Sequence, residues 1–252
     1  TDGSLDLSFD IDGIVFTAIG SGVSEASSVA IQSDGKIVVA GFSQTLNLDF
    51  EFTVVRYNTD LSLDVTFSSD GIVTVDFGIG NDFCNAISLQ ANGKIVIAGV
   101  GVPNSFNEEA IIVRLNTDGS LDTSFDSDGI VFQIVQLLAT KINAIAIQSD
   151  GKIVASGSGN NASQYEIIAL RLNADGSLDL GFDTDGKLSI TLGNDADSYS
   201  IALQTDGKIL IGGYANLGSN YDFVLIRLNA NGSFDNSFDT DGILTTAIGS
   251  GS

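Results

Sequence analysis

Four pairs of aspartates have a spacing that could bind a metal ion. Each pair has the form Asp-x-Asp and is followed directly by glycine. The pairs are Asp10 and Asp12, Asp126 and Asp128, Asp183 and Asp185, and Asp239 and Asp241. Carboxylate oxygens at alternate positions suit Ca²⁺, and an EF-hand loop begins with this spacing. These eight aspartates are therefore candidate calcium ligands, and no other cofactor is expected.

The same segments can also be explained as turns. An EF-hand needs a further oxygen ligand at position 5 and a bidentate Glu at position 12. A frame that starts at Asp183 has Lys187 and Asn194 at those positions, and in one copy Ser68 replaces the first aspartate. Asx turns with glycine at positive φ explain Asp-Gly pairs without a metal ion. The turn interpretation is favoured, and calcium remains the alternative.

Catalysis would depend on carboxylates, because the chain has no histidine. Glycoside hydrolysis needs two particular carboxylates about 5–9.5 Å apart. Asp82, Asp195 and Asp197 do not belong to the repeated pattern and are weak catalytic candidates. Since 32 acidic residues produce such pairs by chance, the sequence favours a protein that is not an enzyme.

A third set combines an aromatic residue with an acid that lies five residues before an arginine. The set is Phe50, Glu51, Phe106, Glu109, Tyr165, Glu166, Tyr221 and Asp222. Aromatic rings beside carboxylates can bind a sugar or a peptide by stacking and hydrogen bonding. Alternatively, the aromatic residue begins a strand and packs on its neighbour, while the acid prevents edge pairing. The set is a candidate ligand site.

The arginines are structural candidates. Each of the four has an aspartate eight residues later, which predicts a charge-assisted contact that closes the intervening loop. The predicted structural residues are Arg56, Arg114, Arg171, Arg227, Asp6, Asp64, Asp122, Asp179 and Asp235. Four of the six lysines also share one repeat position, which indicates that these cations hold the repeat together.

The elements that position these residues are strands of an internal repeat. The arginines are 58, 57 and 56 residues apart, so the period is about 57. Within a unit, Asp34-Gly35 separates two β-branched runs, which is a strong hairpin signal. A third strand ends near the arginine, and a fourth follows the Asp/Gly segment. No apolar period of 3.6 residues is present, so essentially no helix is expected.

Four strands per repeat predict an all-β protein with a β-propeller fold of four to five blades. The alternative is an open arc or a β-solenoid fragment of a longer array. We expect one domain, 1–252, with units at about 1–58, 59–116, 117–173, 174–229 and a partial 230–252. Because both ends fall inside a repeat, further repeats or a neighbouring chain are expected at the termini.

Charge and hydropathy restrict the partners. A net charge of −22 repels nucleic acid and anionic lipid. The apolar runs are shorter than the roughly 20 residues that span a bilayer, so membrane insertion is not expected. Cys84 is the only cysteine and cannot form an internal disulfide.

The pattern RLNxDGSLDxxFxxDGI…AIQxDGKIVVAG resembles the bacterial delta-60 repeat family over the whole chain. The resemblance implies tandem β-propeller repeats in large secreted or cell-surface proteins, and it implies no catalytic activity. One departure from the family is an aspartate after the repeated phenylalanine, where glycine is usual.

We therefore expect a noncatalytic extracellular recognition or adhesion module that binds a glycan or a protein through variable loops on one face. A structural spacer in a surface fibre is one alternative. A carboxylate-based polysaccharide hydrolase or lyase is the other.

Overall fold

Four antiparallel sheets of four strands form the part of the protein that the structure describes, and each sheet is made by one repeat. The structure is a computed structural model that describes residues 4–5, 12–20, 22–78, 80–103, 107–218 and 220–247. Three of the predicted residues, Asp6, Asp10 and Phe106, lie outside these ranges. Among the described residues no helix is long and apolar enough to cross a membrane.

The strands of each sheet follow one another in chain order, and the four sheets are called blades 1 to 4. Blade 1 contains β1 (Ser24–Ile31), β2 (Ile37–Gln44), β3 (Phe50–Tyr57) and β4 (Ile72–Val75). Blade 2 contains β5 (Phe83–Leu89), β6 (Ile95–Gly101), β7 (Glu109–Leu115) and β8 (Ile130–Gln133). Blade 3 contains β9 (Ala139–Ile147), β10 (Ile153–Asn160), β11 (Tyr165–Leu172) and β12 (Lys187–Ile190). Blade 4 contains β13 (Ala196–Leu203), β14 (Ile209–Asn216), β15 (Tyr221–Leu228) and β16 (Ile243–Thr246).

The Asp-Gly and Asn-Gly turns set the register between the first two strands. In blade 1, Ile31 pairs with Ile37 across the turn, and Gly35 has a φ of 84°, which glycine adopts without a steric penalty. The Asp34 carboxylate accepts a hydrogen bond from the Lys36 amide. Each hairpin therefore closes through local contacts.

A bulge in the first strand makes a second glycine position necessary. The register of β1 against β2 shifts between Ala26 and Ser28. A Cβ atom on Gly41, which faces this bulge, would lie 1.9 Å from the carbonyl oxygen of Glu25. The same clash would occur at Gly99, Gly157 and Gly213. Each blade therefore needs glycine here to keep its innermost pair of strands close.

The core lies between the blades. One apolar cluster joins blades 1 and 2, a second joins blades 2 and 3, and a third joins blades 3 and 4. Phe67, Phe125 and Phe182 are fully buried in these three clusters, one in each. The first strands of consecutive blades contact one another, so the blades converge at these strands.

The prediction of an all-β propeller of four-stranded repeats is confirmed, and residues 12–247, apart from the gaps given above, form four blades. Blade 1 spans 24–75, whereas the predicted unit boundary was at about 58, between β3 and β4. The fourth strand of each sheet therefore follows the next Asp/Gly segment and lies in the next predicted unit. Within the described part of the chain, no apolar cluster joins blade 4 to blade 1.

Candidate active site

A cluster of two cations and one aspartate closes each blade at its Asp/Gly segment. In blade 2, Asp122 Oδ2 is 2.5 Å from Arg114 Nε and 2.6 Å from Lys94 Nζ. The Arg114 guanidinium also lies over the ring of Phe125, 4.5 Å from its centroid. Burial would raise the pKa of Asp122, but hydrogen bonds from Lys94, Ser124 and Arg114 hold it well below its usual range. The cluster therefore holds the repeat together.

The other blades contain the same cluster. The Arg Nε to Asp Oδ2 distances are 2.7 Å in blade 1, 2.6 Å in blade 3 and 2.7 Å in blade 4. The corresponding lysine to aspartate distances are 2.7, 2.8 and 3.2 Å. The residues of these three clusters are Lys36, Arg56, Asp64, Lys152, Arg171, Asp179, Lys208, Arg227 and Asp235.

The candidate calcium ligands lie in tight turns. The second aspartate of each pair accepts a hydrogen bond from the amide two residues later, as Asp128 does from Ile130 at 2.9 Å. Asp12, Asp185 and Asp241 do the same. Asp126, Asp183 and Asp239, the first members of the other described pairs, have positive φ angles of 43° to 47°. Among the described residues, no group of three or more His, Cys, Asp or Glu side chains could hold a metal ion.

Calcium binding at the aspartate pairs stays a hypothesis, and thermal unfolding tests it. Because Asp128 and its equivalents already cap their turns, we expect the unfolding midpoint in 5 mM calcium chloride and in chelator to agree within about 1 °C. Magnesium chloride at the same ionic strength is the control. A calcium-specific rise of several degrees would show that the segments bind the ion.

The residues of the aromatic–acid set lie in different environments, and Glu166 is buried. Glu166 is 5% exposed and accepts hydrogen bonds from Gln136, Asn161, Ser189 and Thr191. Burial alone would raise the pKa of Glu166, but these four hydrogen bonds lower it below its usual value. The side chain is thus held inside blade 3 rather than offered to a ligand.

The other members of the set lie at three different places. Phe50 packs edge-on against Phe42, with ring centroids 5.3 Å apart, and burial together with Asp76 and Asp49 raises the pKa of the adjacent Glu51. Glu109 begins β7, and Asp222 lies beside Tyr221 in β15. Tyr165 lines a cleft described below. The set does not converge on one site, and its ligand-binding role stays a prediction.

Asp82 is one of the three nonrepeated acids, and it is buried. Asp82 is 1% exposed, and its carboxylate accepts hydrogen bonds from the amides of Phe77 and Val102 at 3.2 and 3.3 Å. Burial, with smaller effects from Asp76 and Glu51, raises the pKa of Asp82 to about 6. The equivalent residue of blade 3 is Thr140, whose hydroxyl accepts hydrogen bonds from the amides of Val135, which corresponds to Phe77, and Gln136. Asp82 therefore caps the loop before β5 as Thr140 caps the loop before β9, but it does so with an ionisable carboxyl group.

Replacing Asp82 with threonine is expected to stabilise the protein at alkaline pH. Because the native pKa is raised above the unfolded value, the native state loses relative stability as the pH rises from about 4 through 6. We expect the free energy of unfolding of Asp82→Thr to exceed that of the wild type by about 1–2 kcal/mol at pH 8. Urea unfolding at pH 8 and pH 4.5 measures this difference. An equal gain at both values would contradict the charge argument.

The other two nonrepeated acids line a cleft where blades 2, 3 and 4 meet. The cleft has a volume of about 360 Å³. Blade 2 contributes Val100 and Glu108, blade 3 contributes Lys141, Ser158 and Tyr165, and blade 4 contributes Asp195, Asp197 and Tyr214. Three carboxylates, one ammonium group and two phenol rings therefore face the same space.

The carboxylates of the cleft differ in how firmly they are held. Asp197 is 3% exposed, lies 2.8 Å from Lys141 Nζ and accepts a hydrogen bond from the Asn143 side chain at 2.9 Å. Asp195 accepts a hydrogen bond from the Tyr221 hydroxyl at 3.1 Å. The side chain of Glu108 is exposed to solvent. The cleft thus combines a buried, ion-paired carboxylate with an exposed one.

Uncharged groups complete the cleft. The Ser158 hydroxyl is buried, and it has no hydrogen-bond partner within the described structure. Burial, together with Tyr199, Asp195 and Asp197, raises the pKa of Tyr214 to about 12, so this hydroxyl stays protonated as a donor. An unsatisfied buried hydroxyl costs free energy.

Sequence reasoning named Asp195, Asp197 and Tyr165 as candidates, and Glu108 directly precedes the candidate Glu109. Lys141 had one available signal, because it is one of two lysines outside the repeat position. Glu108 follows Asn107 in a variable loop and is not distinguished from neighbouring acids by any local pattern. Ser158 and Tyr214 lie within ordinary strands.

Comparison with solved structures finds enzymes at low similarity. An endo-1,4-beta-xylanase from Bacteroides thetaiotaomicron is 10% identical with a TM-score of 0.45, over 91% of this chain and 77% of that one. A GH43_1 enzyme from Xanthomonas citri is 9% identical, with a TM-score of 0.44 and coverage of 82% and 70%. A mannose phosphorylase from Leishmania mexicana is 13% identical, with a TM-score of 0.39 and coverage of 94% and 73%. No curated protein matches the sequence.

These comparisons contradict the expectation of a noncatalytic recognition or adhesion module that is not an enzyme, because the similar structures are enzymes. That expectation is withdrawn. Identities of 9–13% and TM-scores of 0.39–0.45 assign neither a reaction nor a substrate to this chain, whose chemistry must be argued from its own residues.

A family model matches the chain four times, once for each repeat. The matches cover residues 32–67, 90–125, 148–182 and 204–238, which together make up more than half of the chain. Each match contains the Gly-Lys hairpin, the repeated arginine and its aspartate. The chain therefore belongs to the family described as "Domain of unknown function (DUF5122) beta-propeller".

Proposed function

We propose that this protein is a carboxylate-dependent glycan hydrolase whose active site is the cleft between blades 2, 3 and 4. The observation that carries the proposal is the meeting of Glu108, Asp195 and Asp197 in one concave site beside Tyr165 and Tyr214. Glycoside hydrolysis needs two carboxylates with different tasks. Tyrosine rings supply apolar faces on which a sugar ring can stack.

The surroundings of the carboxylates suggest their roles. Asp197 is fixed by Lys141 and Asn143, so it carries the negative charge that would stabilise an oxocarbenium-like transition state. Glu108 is exposed and free to approach the leaving-group oxygen, so it is the proposed proton donor. The Tyr214 hydroxyl would hydrogen-bond a sugar hydroxyl and help to fix the ring.

Charge restricts the glycans that this cleft would accept. The cleft contains three carboxylates and one lysine, and the lysine is paired with Asp197. A uronic acid polymer would be repelled by the net negative charge of the site and of the whole protein. The proposed substrate class is therefore a neutral glycan or one that carries amino groups.

An assay of reducing ends tests the proposal. The protein is incubated with neutral, amino-containing and uronate polysaccharides, and newly formed reducing ends are counted. We expect release from at least one neutral or amino-containing polymer and none from the uronates. Glu108→Gln is expected to lower the rate by about 100-fold, and its exposed position makes misfolding an inadequate explanation.

Asp150→Asn is the matched control for the assay. Asp150 caps the hairpin of blade 3, and asparagine occupies the equivalent position in blade 2 as Asn92. This variant is expected to keep the wild-type rate. No release from any polymer, or equal rates for the wild type and Glu108→Gln, would reject the proposal.

We also propose that the repeats are of the delta-60 type and that the protein acts outside the cell or on its surface. The repeated RLNxDGSLD segment and the strongly acidic composition support this assignment. Fractionation of the producing cells tests it, because most of the protein should be found in the medium or on protease-accessible surface. Recovery only from the protected cell interior would reject this location.

A further inference from the structure

One face of blade 4 is open where the same face of the other blades is covered. Four residues before the repeated arginine, Phe52, Ala110 and Ile167 are fully buried, whereas Phe223 is 64% exposed. In the fourth strands, Leu244 is 36% exposed, whereas Val131 of blade 2 is 1% exposed. The forward face of blade 4, defined as Tyr221, Phe223, Leu225, Leu244 and Thr246, borders a groove of about 660 Å³.

Polar contacts between the blades follow the same pattern. The Nη1 atoms of Arg56, Arg114 and Arg171 donate hydrogen bonds to the carbonyl oxygens of Thr117, Ala174 and Ala230 in the next blade. Each of the first three blades thus extends one arginine hydrogen bond into the following blade.

The arginine of blade 4 lacks this contact among the described residues. Arg227 is bonded to Asp235 and Ser237 of its own blade. Its side chain is 20% exposed, compared with 6% for Arg114. We call the interface between one blade and the next a joint. Among the described residues, the forward face of blade 4 therefore lacks both the apolar and the polar contacts of a joint.

Blade 1 carries the complementary surface, which in the other blades packs against the preceding blade. Its residues Val29 and Ile31 are 64% and 70% exposed. The equivalent residues of blade 2, Ile87 and Leu89, pack into the cluster that joins blades 1 and 2. Blade 1 therefore has an apolar surface of the type that receives a preceding blade.

The chain itself supplies an example of this contact. Residues 14–19 lie before blade 1, and Val15, Thr17 and Ile19 border a cavity together with strands of that blade. Thr17 Oγ1 is 2.6 Å from the Tyr57 hydroxyl. The sequence TAIG at 17–20 recurs at 246–249, where it begins with the last residue of β16. A surface that binds the first copy of this sequence can bind the second.

We propose that the forward face of blade 4 binds blade 1 of a second copy of this chain, head to tail. In this contact, β16 of one copy replaces residues 14–19 of the other copy on blade 1. The resulting interface has the same contacts as the joints between blades inside one chain. Because the two surfaces differ, the contact is heterologous and leads to rings or chains of copies rather than to a symmetric dimer.

Sedimentation velocity between about 1 and 100 µM protein tests the proposal. We expect species at multiples of 26.1 kDa that increase with protein concentration. Since each copy carries a net charge of −22, association should strengthen between 0.15 and 0.5 M sodium chloride as repulsion is screened. A sample that remains at 26.1 kDa throughout would overturn the proposal.

Two variants and a control locate the joint. Phe223→Asp and Val29→Asp are each expected to weaken association at least tenfold, and both sites are exposed in the single chain. Leu46→Asp is the control, because Leu46 is 88% exposed in the loop between β2 and β3 and lies on neither face. An unchanged distribution for Phe223→Asp, or an equal effect of Leu46→Asp, would overturn the proposal.

Discussion

Replacing Asp197 with asparagine is expected to lower the rate of glycan hydrolysis by about 100- to 1000-fold. The amide has the same shape and can still accept the hydrogen bond from Asn143, but it lacks the negative charge. A fixed charge that faces the reacting carbon stabilises the transition state much more than the ground state. The loss should therefore fall on kcat, with little change in KM.

The main concern for this variant is stability, because Asp197 also pairs with Lys141. Lys141 is 33% exposed, so the loss of this pair should cost only about 1 kcal/mol. Rates are therefore compared at least 10 °C below the unfolding midpoint of the variant. A rate within twofold of the wild type would exclude Asp197 from the chemistry.

Replacing Asp122 with asparagine is expected to cause the largest loss of stability among the single changes considered. Asp122 is 4% exposed, and its Oδ2 atom contacts both Arg114 and Lys94. Removing the carboxylate leaves Arg114 buried with a positive charge and no counterion. Breaking a buried ion pair in this way typically costs about 3–5 kcal/mol. Urea unfolding at pH 7 measures the change.

Asp118→Asn is the matched control for this change. Asp118 lies in the same segment, and its blade 4 equivalent is Asn231; each accepts hydrogen bonds from the serine two residues later. We expect a change below about 0.5 kcal/mol. Equal effects of the two substitutions would mean that the Asp/Gly segment, rather than the ion cluster, limits stability.

The depressed pKa of Asp122 predicts how the effect depends on pH. A carboxyl group whose native pKa lies below its unfolded value stabilises the fold above the unfolded value, near pH 4, and loses this contribution as the pH falls further. The difference between the wild type and Asp122→Asn should therefore be complete at pH 7 and shrink below pH 4. A difference that does not change with pH would contradict an ionic origin.

The fold could be predicted from the sequence because its signals are local or periodic. Asp34-Gly35 between two β-branched runs indicates a hairpin, and β1 and β2 form one. The spacing of eight residues between Arg114 and Asp122 indicated a pair, and the two side chains are in contact. Each of these inferences needs only residues within one repeat.

The candidate site could be predicted only in part, because it depends on three blades at once. Asp197, Lys141 and Glu108 are far apart in the sequence and become neighbours through the packing of blades 2, 3 and 4. For Glu166, the sequence pattern predicted a ligand-binding residue, but the structure shows a buried one. It follows the aromatic–acid pattern, but donors from two other segments, Gln136 and Ser189, enclose it. No local pattern contains this information.

The structure of Glu108→Gln with a bound oligosaccharide shows whether the cleft between blades 2, 3 and 4 is the active site. The fragment should come from the polymer that the wild type cleaves, since the variant is expected to bind it without turnover. We expect a sugar ring against Tyr165 or Tyr214 and the glycosidic bond beside Asp197. An oligosaccharide bound elsewhere on the blades, with the cleft between blades 2, 3 and 4 empty, would contradict it.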